Sequence, residues 1–157
     1  MKKALLAFML AVFSIGLFGQ SDINGFRDWD WDIEFSTVSR DLTPSKNKLP
    51  RFKAYDKKTE NLSFEEITAH LITYGFKNGK FAAVNIGIFN KDLDHIVKVF
   101  TKNYGKPRKV DTPFLMNYEW HLKSADISIS HFPSKKGEKN TSIGISKKRA
   151  SQRKLYQ

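Results

Sequence analysis

The stretch TAHLITYGFKNGKFAAVNIGIF, residues 68–89, decides the fold. At its centre, Asn78-Gly79 separates two runs that are rich in aromatic and β-branched residues. Asn and Gly readily take the positive φ angles of a type I′ turn, whose twist matches that of the strands on either side. The stretch therefore predicts a β-hairpin with strands at 68–76 and 81–89.

The second strand of this hairpin has two unlike faces. Successive side chains of a strand point to opposite faces, so residues two apart share a face. This periodicity predicts a sheet that is packed on one side and thinly covered or wet on the other. The apolar face carries Val84, Ile86 and Ile88, and the other carries Ala83, Asn85 and Gly87.

An apolar stripe after the hairpin predicts one helix. Its members are spaced as one face of a helix requires. Asn90 is a candidate N-cap, Gly105 fits the position after the last turn, and Pro107 prevents continuation. The stripe consists of Leu93, Ile96, Val97, Phe100 and Tyr104.

Three further alternating segments, at 114–122, 126–132 and 140–147, predict strands, and weaker signals lie at 51–55 and 61–65. Residues 42–50 are predicted to form a loop. Because strands and helices do not alternate regularly, the chain is predicted to be an α+β protein. The expected architecture is a mostly antiparallel sheet of about six to seven strands, with one amphipathic helix packed on one face.

The two ends of the chain differ from the middle. Met1-Lys2-Lys3 precedes an uncharged segment, Ala4 to Phe18, and the pattern is typical of a secretory signal peptide cleaved near Gly19/Gln20. We therefore expect export to the periplasm or the exterior, a single α+β domain over 20–146, and a basic tail over 147–157. No later segment is long and apolar enough for a transmembrane helix. The chain has 157 residues and 0 cysteines, which excludes disulfides and thiolate metal sites.

The acidic and Trp-rich segment DWDWDIEF, residues 28–35, is the first candidate site. As a strand it would place its aromatic and aliphatic side chains on one face and its carboxylates on the other. It fails as an EF-hand loop because Ile33 stands where Gly is needed and Ser39 where Glu is needed. A looser calcium site, a sugar platform and a solvated strand face are the open interpretations, and a short helix from Phe35 is a structural alternative. The candidate ligand-binding residues are Trp29, Trp31, Asp28, Asp30 and Asp32.

No catalytic or metal-binding motif is complete. Neither GxSxG nor a Gly-rich phosphate loop occurs, and no two histidines have the spacing of a helical zinc site. A turn that pairs Leu122 with Asp126 would set His121 opposite Ile127 and His131 opposite Asn117, which keeps these two imidazoles apart. We therefore expect no cofactor and no metal site.

The basic tail is the second candidate site, since a run of cations attracts any polyanion. The net charge of the whole chain is +11. Export makes nucleic acid an improbable partner, whereas an anionic envelope polymer or lipid surface fits. The alternative is a solubilising tail. The candidate polyanion-binding residues are Lys147, Lys148, Arg149, Arg153 and Lys154.

Four short motifs resemble a pattern found in small exported bacterial proteins of unknown function. They are Phe26-Arg27-x-Trp29-x-Trp31, Tyr74-Gly75-Phe76 leading into Asn78-Gly79-Lys80-Phe81, Tyr104-Gly105-Lys106-Pro107, and Tyr118-x-Trp120. The resemblance spans about Phe26 to Ser146 and implies an envelope-associated α+β domain without assigning a catalytic residue.

The sequence thus favours an exported, non-enzymatic binding or interaction domain of the bacterial cell envelope. One alternative is a glycan-acting hydrolase that uses two of Asp28, Asp30, Asp32 and Glu34 as acid and base. Another is polyanion binding through the basic tail.

Overall fold

The computed structural model describes residues 21–133 and 138–149. The strands within these residues are β1 (Gly25–Phe26), β2 (Trp29–Asp30), β3 (Leu42–Pro44), β4 (Lys53–Lys57), β5 (Ser63–Phe64), β6 (Ile67–Thr68), β7 (Leu71–Lys77), β8 (Lys80–Ile88), β9 (Arg108–Asp111), β10 (Met116–His121), β11 (Ala125–His131) and β12 (Thr141–Lys147). The helices are α1 (Phe35–Val38) and α2 (Leu93–Tyr104), and 3₁₀ turns cover Ser39–Asp41 and Asn90–Asp92. No helix in the described ranges is both long enough and apolar enough to span a membrane.

A mostly antiparallel sheet dominates the fold, as predicted. It contains eight strands in the order β3-β4-β7-β8-β12-β11-β10-β9, and all neighbouring pairs are antiparallel. The expected six to seven strands and single helix were too few, because the sheet also contains β3 and β9 and because α1 is a second helix; β1–β2 and β5–β6 form separate two-stranded pairs. These elements span two to four residues, too few to show a hydrophobic period.

Two predicted boundaries also need correction. The predicted loop over 42–50 contains β3, whose three residues pair with β4 at the edge of the sheet. The basic tail does not begin at residue 147, because Lys147 is the last residue of β12 and Lys148 is buried. The predicted signal peptide and the rest of the tail lie outside the described residues.

The central hairpin is confirmed. β7 and β8 pair antiparallel from Leu71↔Gly87 to Lys77↔Lys80, with a register shift between Gly75 and Phe76. Asn78 and Gly79 have φ angles of 52° and 75°, as a type I′ turn requires.

The apolar face of the sheet is covered by an aromatic cluster. Trp29 of β2 packs on Tyr74 and Phe81, with ring centroids 4.8 and 5.6 Å apart. Phe35 of α1 packs on Phe76 at 5.2 Å. Aromatic pairs of this kind contribute about 0.5–1.5 kcal/mol each beyond their area burial, so they fasten the N-terminal hairpin and α1 to the sheet.

The helix α2 covers the remainder of this face and ends where predicted. Phe100 lies 5.7 Å from Trp120 of β10, whose indole Nε1 donates a hydrogen bond to Gly105 O at 2.7 Å. Gly105 ends the helix with a φ of 81°. Asn90, however, is not the N-cap, because a 3₁₀ turn precedes the helix and Asn90 Oδ1 accepts a hydrogen bond from Thr141 instead.

The register of β10 and β11 differs from the expected one by one residue. Leu122 N donates to Ala125 O, so the turn contains two residues rather than three. His121 therefore pairs with Asp126, and His131 with Met116. The buried side chains of Leu122 and Ala125 explain this register, because a slip by one residue would turn the apolar side chains of one strand away from the core.

Candidate functional site

The acidic and Trp-rich segment does not form one continuous strand. Asp28 lies in the turn between β1 and β2, and Asp32 lies in a second turn with a φ of 72°. The segment then passes a single bridge between Glu34 and Lys80 before α1 starts at Phe35. The carboxylates of Asp28, Asp30, Asp32 and Glu34 are all exposed.

The two tryptophans of this segment belong to the core and its margin. Trp29 is 8% exposed, and the Lys57 ammonium lies 4.7 Å from the centre of its ring. Trp31 is half-buried, packs on Phe81 at 5.1 Å and donates its indole N–H to Ile23 O at 2.9 Å. Trp29 is therefore too buried to stack on a sugar, and Phe81 packs against the ring of Trp31.

Cationic side chains from three parts of the chain gather at one end of the sheet. Arg51 precedes β4, Lys77 and Lys80 flank the β7–β8 turn, and Lys147 and Arg149 come from the end of β12. They line two adjoining clefts that share Phe52, Lys147 and Arg149. We call Arg51, Lys77, Lys80, Lys147 and Arg149 the cationic cleft.

The acidic segment neutralises part of this charge. Asp32 forms an ion pair with Lys147, and Glu34 lies 3.3 Å from the Lys80 ammonium. The acidic start and the basic end of the domain therefore meet within one molecule. By contrast, Arg51, Lys77 and Arg149 are exposed and form no ion pair with any described residue, so they are free to bind an external anion.

Lys148 has a structural role, although the sequence groups it with the binding cations. It is 5% exposed, and its ammonium donates to Leu122 O at 2.7 Å and lies 3.8 Å from Asp126 Oδ1. Its backbone N–H donates to Ser124 O. These contacts tie the end of β12 to the β10–β11 turn. Arg153 and Lys154 lie outside the described residues.

A groove runs from the cationic cleft along the other face of the sheet. Its floor consists of small and polar residues of β8, β11 and β12, and one wall is formed by the apolar side chains of Leu49, Pro50 and Phe52. The part nearest the cleft encloses about 300 Å³. We call it the polar groove; its floor residues are Ala83, Asn85, Ser128, Gly144 and Ser146.

The apolar wall depends on Gly75 of β7. A Cβ at this position would lie 3.1 Å from Leu49 Cδ1 and 3.1 Å from Phe52 Cβ. This tight approach lets residues 49–52 lie directly on the sheet. The predicted thinly covered face is thus the face that carries the groove.

The hydrogen-bonded side chains of His121 and Asp126 line the wall of the polar groove opposite Leu49, Pro50 and Phe52. His121 Nδ1 and Asp126 Oδ1 are 2.9 Å apart, and His121 Nε2 lies 3.7 Å from Glu119 Oε2. Sequence reasoning missed this group because it placed His121 opposite Ile127; a two-residue turn at Lys123-Ser124 was the signal that could have revealed it. No group of three or more His, Asp or Glu in the described part of the chain is arranged to hold a metal ion.

The far end of the groove is formed around His70. Its ring lies over Gly87 and packs on Phe89 with centroids 5.6 Å apart. Burial, aided by the positive charge of Lys139, lowers the pKa of His70 below its usual value. Its Nε2 has no hydrogen-bond partner among the described residues. His131 is hydrogen-bonded to Thr141, and His95 to Glu65 O.

No protein-family model, curated protein or solved structure matches this chain.

Proposed function

We propose that this protein is an exported binding domain of the bacterial envelope that holds an anionic group of its ligand in the cationic cleft. The observation that carries the proposal is the convergence of five cationic side chains from three segments around Phe52. Three of them have no ion-pair partner among the described residues, so their charge is directed toward solvent.

The chemistry of these side chains suits phosphate or carboxylate groups. A guanidinium presents a planar set of N–H donors that matches both groups, and hydrogen bonds to charged groups are the stronger ones. Arg51 and Arg149 both line the cleft beside Phe52. Lys77 adds a flexible charge from the neighbouring turn. Such a site binds through charge and positioning, without a catalytic step.

Export would bring the cationic cleft into contact with the anions of the bacterial envelope. The segment Met1–Gly19 has the pattern of a signal peptide. Bacterial envelopes carry anionic polymers and anionic lipid headgroups, which share phosphate and carboxylate chemistry. We expect N-terminal sequencing of the exported protein to give Gln20 as the first residue; retention of Met1 in the cytoplasm would contradict export.

Binding of tripolyphosphate tests the cleft. We would titrate the protein by calorimetry and compare Arg51→Gln/Arg149→Gln with Lys98→Gln/Lys102→Gln. Both variants lose the same net charge, but Lys98 and Lys102 are exposed on α2. Because hydrogen bonds to charged groups contribute about 1.5–3 kcal/mol each, the cleft variant should lose more than about tenfold in affinity.

The control variant should bind almost as tightly as the wild type, and affinity should fall as salt is raised. Equal loss in both variants would mean that only net charge matters. Vesicles of phosphatidylglycerol test whether the anion belongs to a lipid headgroup, and vesicles of phosphatidylcholine serve as the reference without net charge. Binding to the vesicles that is insensitive to the cleft variant would contradict a role for the cleft at a lipid surface.

A further inference from the structure

We infer that the ligand is a glycan with an anionic group at one end, and that its sugar units lie in the polar groove while the anion occupies the cationic cleft. This inference rests on the proposed function and adds the class of ligand. It follows from the continuity of the two surfaces, the composition of the floor and the position of two carboxylates.

The cationic cleft and the polar groove form one surface. Pro50, Phe52, Asp126 and Ser146 line both the groove and the adjoining cleft that contains Arg51 and Arg149. The groove continues past Asn85 toward the end of the sheet near His70. A ligand anchored at the cleft can therefore extend along this face of the sheet past Asn85.

The floor of the groove offers hydrogen bonds without bulk. Ser142 and Ser146 of β12 lie on the same face, and four residues of strand span about 13 Å. Gly144 lies between them, opposite Ser128. A Cβ at residue 144 would lie 3.0 Å from the Ser128 hydroxyl, so the glycine keeps the floor low. A flat, hydroxyl-rich chain fits this surface, because each serine hydroxyl both donates and accepts.

The wall complements such a chain. Leu49, Pro50 and Phe52 present apolar surface along one side of the groove. A sugar ring has hydroxyl groups at its rim and C–H groups on its faces, so it can bond the floor and pack on this wall together. Binding sites commonly combine an apolar lining with a few placed polar groups.

Two carboxylates within the groove limit where the ligand carries charge. Glu119 lines it beyond the cleft, and Asp126 lies where the groove joins the cleft. Each lies within about 4 Å of a histidine or a cation, yet a like charge brought beside them would still be repelled. As acceptors they suit hydroxyl groups. The geometry therefore favours a neutral sugar chain with a terminal anion over a uniformly charged polymer.

A comparison of matched ligands tests this inference. We would measure the affinities of malto-, cello- and chito-oligosaccharides with and without a phosphate at one end, and that of tripolyphosphate. At least one phosphorylated oligosaccharide should bind more tightly than both its unphosphorylated form and tripolyphosphate. The matched variants are Ser128→Ala/Ser142→Ala in the floor, both outside the cationic cleft, and Ser36→Ala/Ser63→Ala at exposed sites away from it.

Loss of two floor hydroxyls should weaken binding of that oligosaccharide about tenfold and leave tripolyphosphate affinity unchanged, while the control pair changes neither. The inference is overturned if every phosphorylated oligosaccharide binds no tighter than tripolyphosphate, or if the floor variant has no effect. The proposed function fails separately if Arg51→Gln/Arg149→Gln leaves the binding of all phosphorylated ligands unchanged.

Discussion

Replacing Gly87 by alanine should destabilise the protein, although alanine is normally the better strand residue. A Cβ at residue 87 would lie 2.4 Å from His70 Cε1 and 2.7 Å from its Nε2. The ring cannot move away freely, because it packs on Phe89 and because the backbone N–H of His70 donates a hydrogen bond to Gly87 O at 2.9 Å, which fixes the backbone beside residue 87. Overpacking of this kind costs about 1–3 kcal/mol, against about 0.5–1 kcal/mol gained by removing a strand glycine.

The net loss should be about 1–2 kcal/mol, which lowers Tm by about 2–8 °C in a domain of this size. In a His70→Ala background the clash is gone, so Gly87→Ala should instead stabilise by about 0.5–1 kcal/mol. Urea unfolding of the four proteins in this double-mutant cycle gives the coupling energy, which we expect to be about 1.5–3 kcal/mol. A Gly87→Ala variant that is as stable as the wild type in the native background would refute the position of His70 over the sheet.

Three further changes test other parts of the fold. Folding lowers the pKa of His70 from 6.5, so the unfolded chain binds more protons than the folded protein below about pH 6.5, and the free energy of unfolding should fall as the pH drops through this value. The urea midpoint of His70→Gln should depend less on pH than that of the wild type. Trp120→Phe leaves Gly105 O without its donor and should cost about 1–3 kcal/mol in thermal unfolding; an unchanged Tm would argue against that bond. Lys148→Met leaves Leu122 O without its donor and should lower the free energy of unfolding by about 1–3 kcal/mol; an unchanged urea midpoint would argue against that bond.

The central elements of the fold were predictable because their signals are local. Asn78-Gly79 specifies its turn through backbone conformation alone, and the stripe from Leu93 to Tyr104 specifies one helix face. The long strands β10, β11 and β12 alternate clearly enough to be located within two residues at each end. The short strands β1 and β2 show no such alternation, because each has only two residues.

The candidate site depends on contacts that no local pattern encodes. Arg51 and Arg149 are 98 positions apart in the chain, yet both line one cleft. The partnership of Asp32 with Lys147 likewise depends on the strand order that brings the end of β12 beside the central hairpin. Lys148 shows the opposite case, because its sequence context is that of a solvated tail while its side chain is buried.

Backbone amide chemical shifts during a tripolyphosphate titration give the most direct test of the cationic cleft. The account predicts that the largest changes occur at residues 51–52, 77–80 and 147–149, and that Arg51→Gln/Arg149→Gln removes them. Residues of α2 carry exposed lysines outside the cleft and should change little. Changes that are largest on α2, or equal over all exposed lysines, would contradict the account.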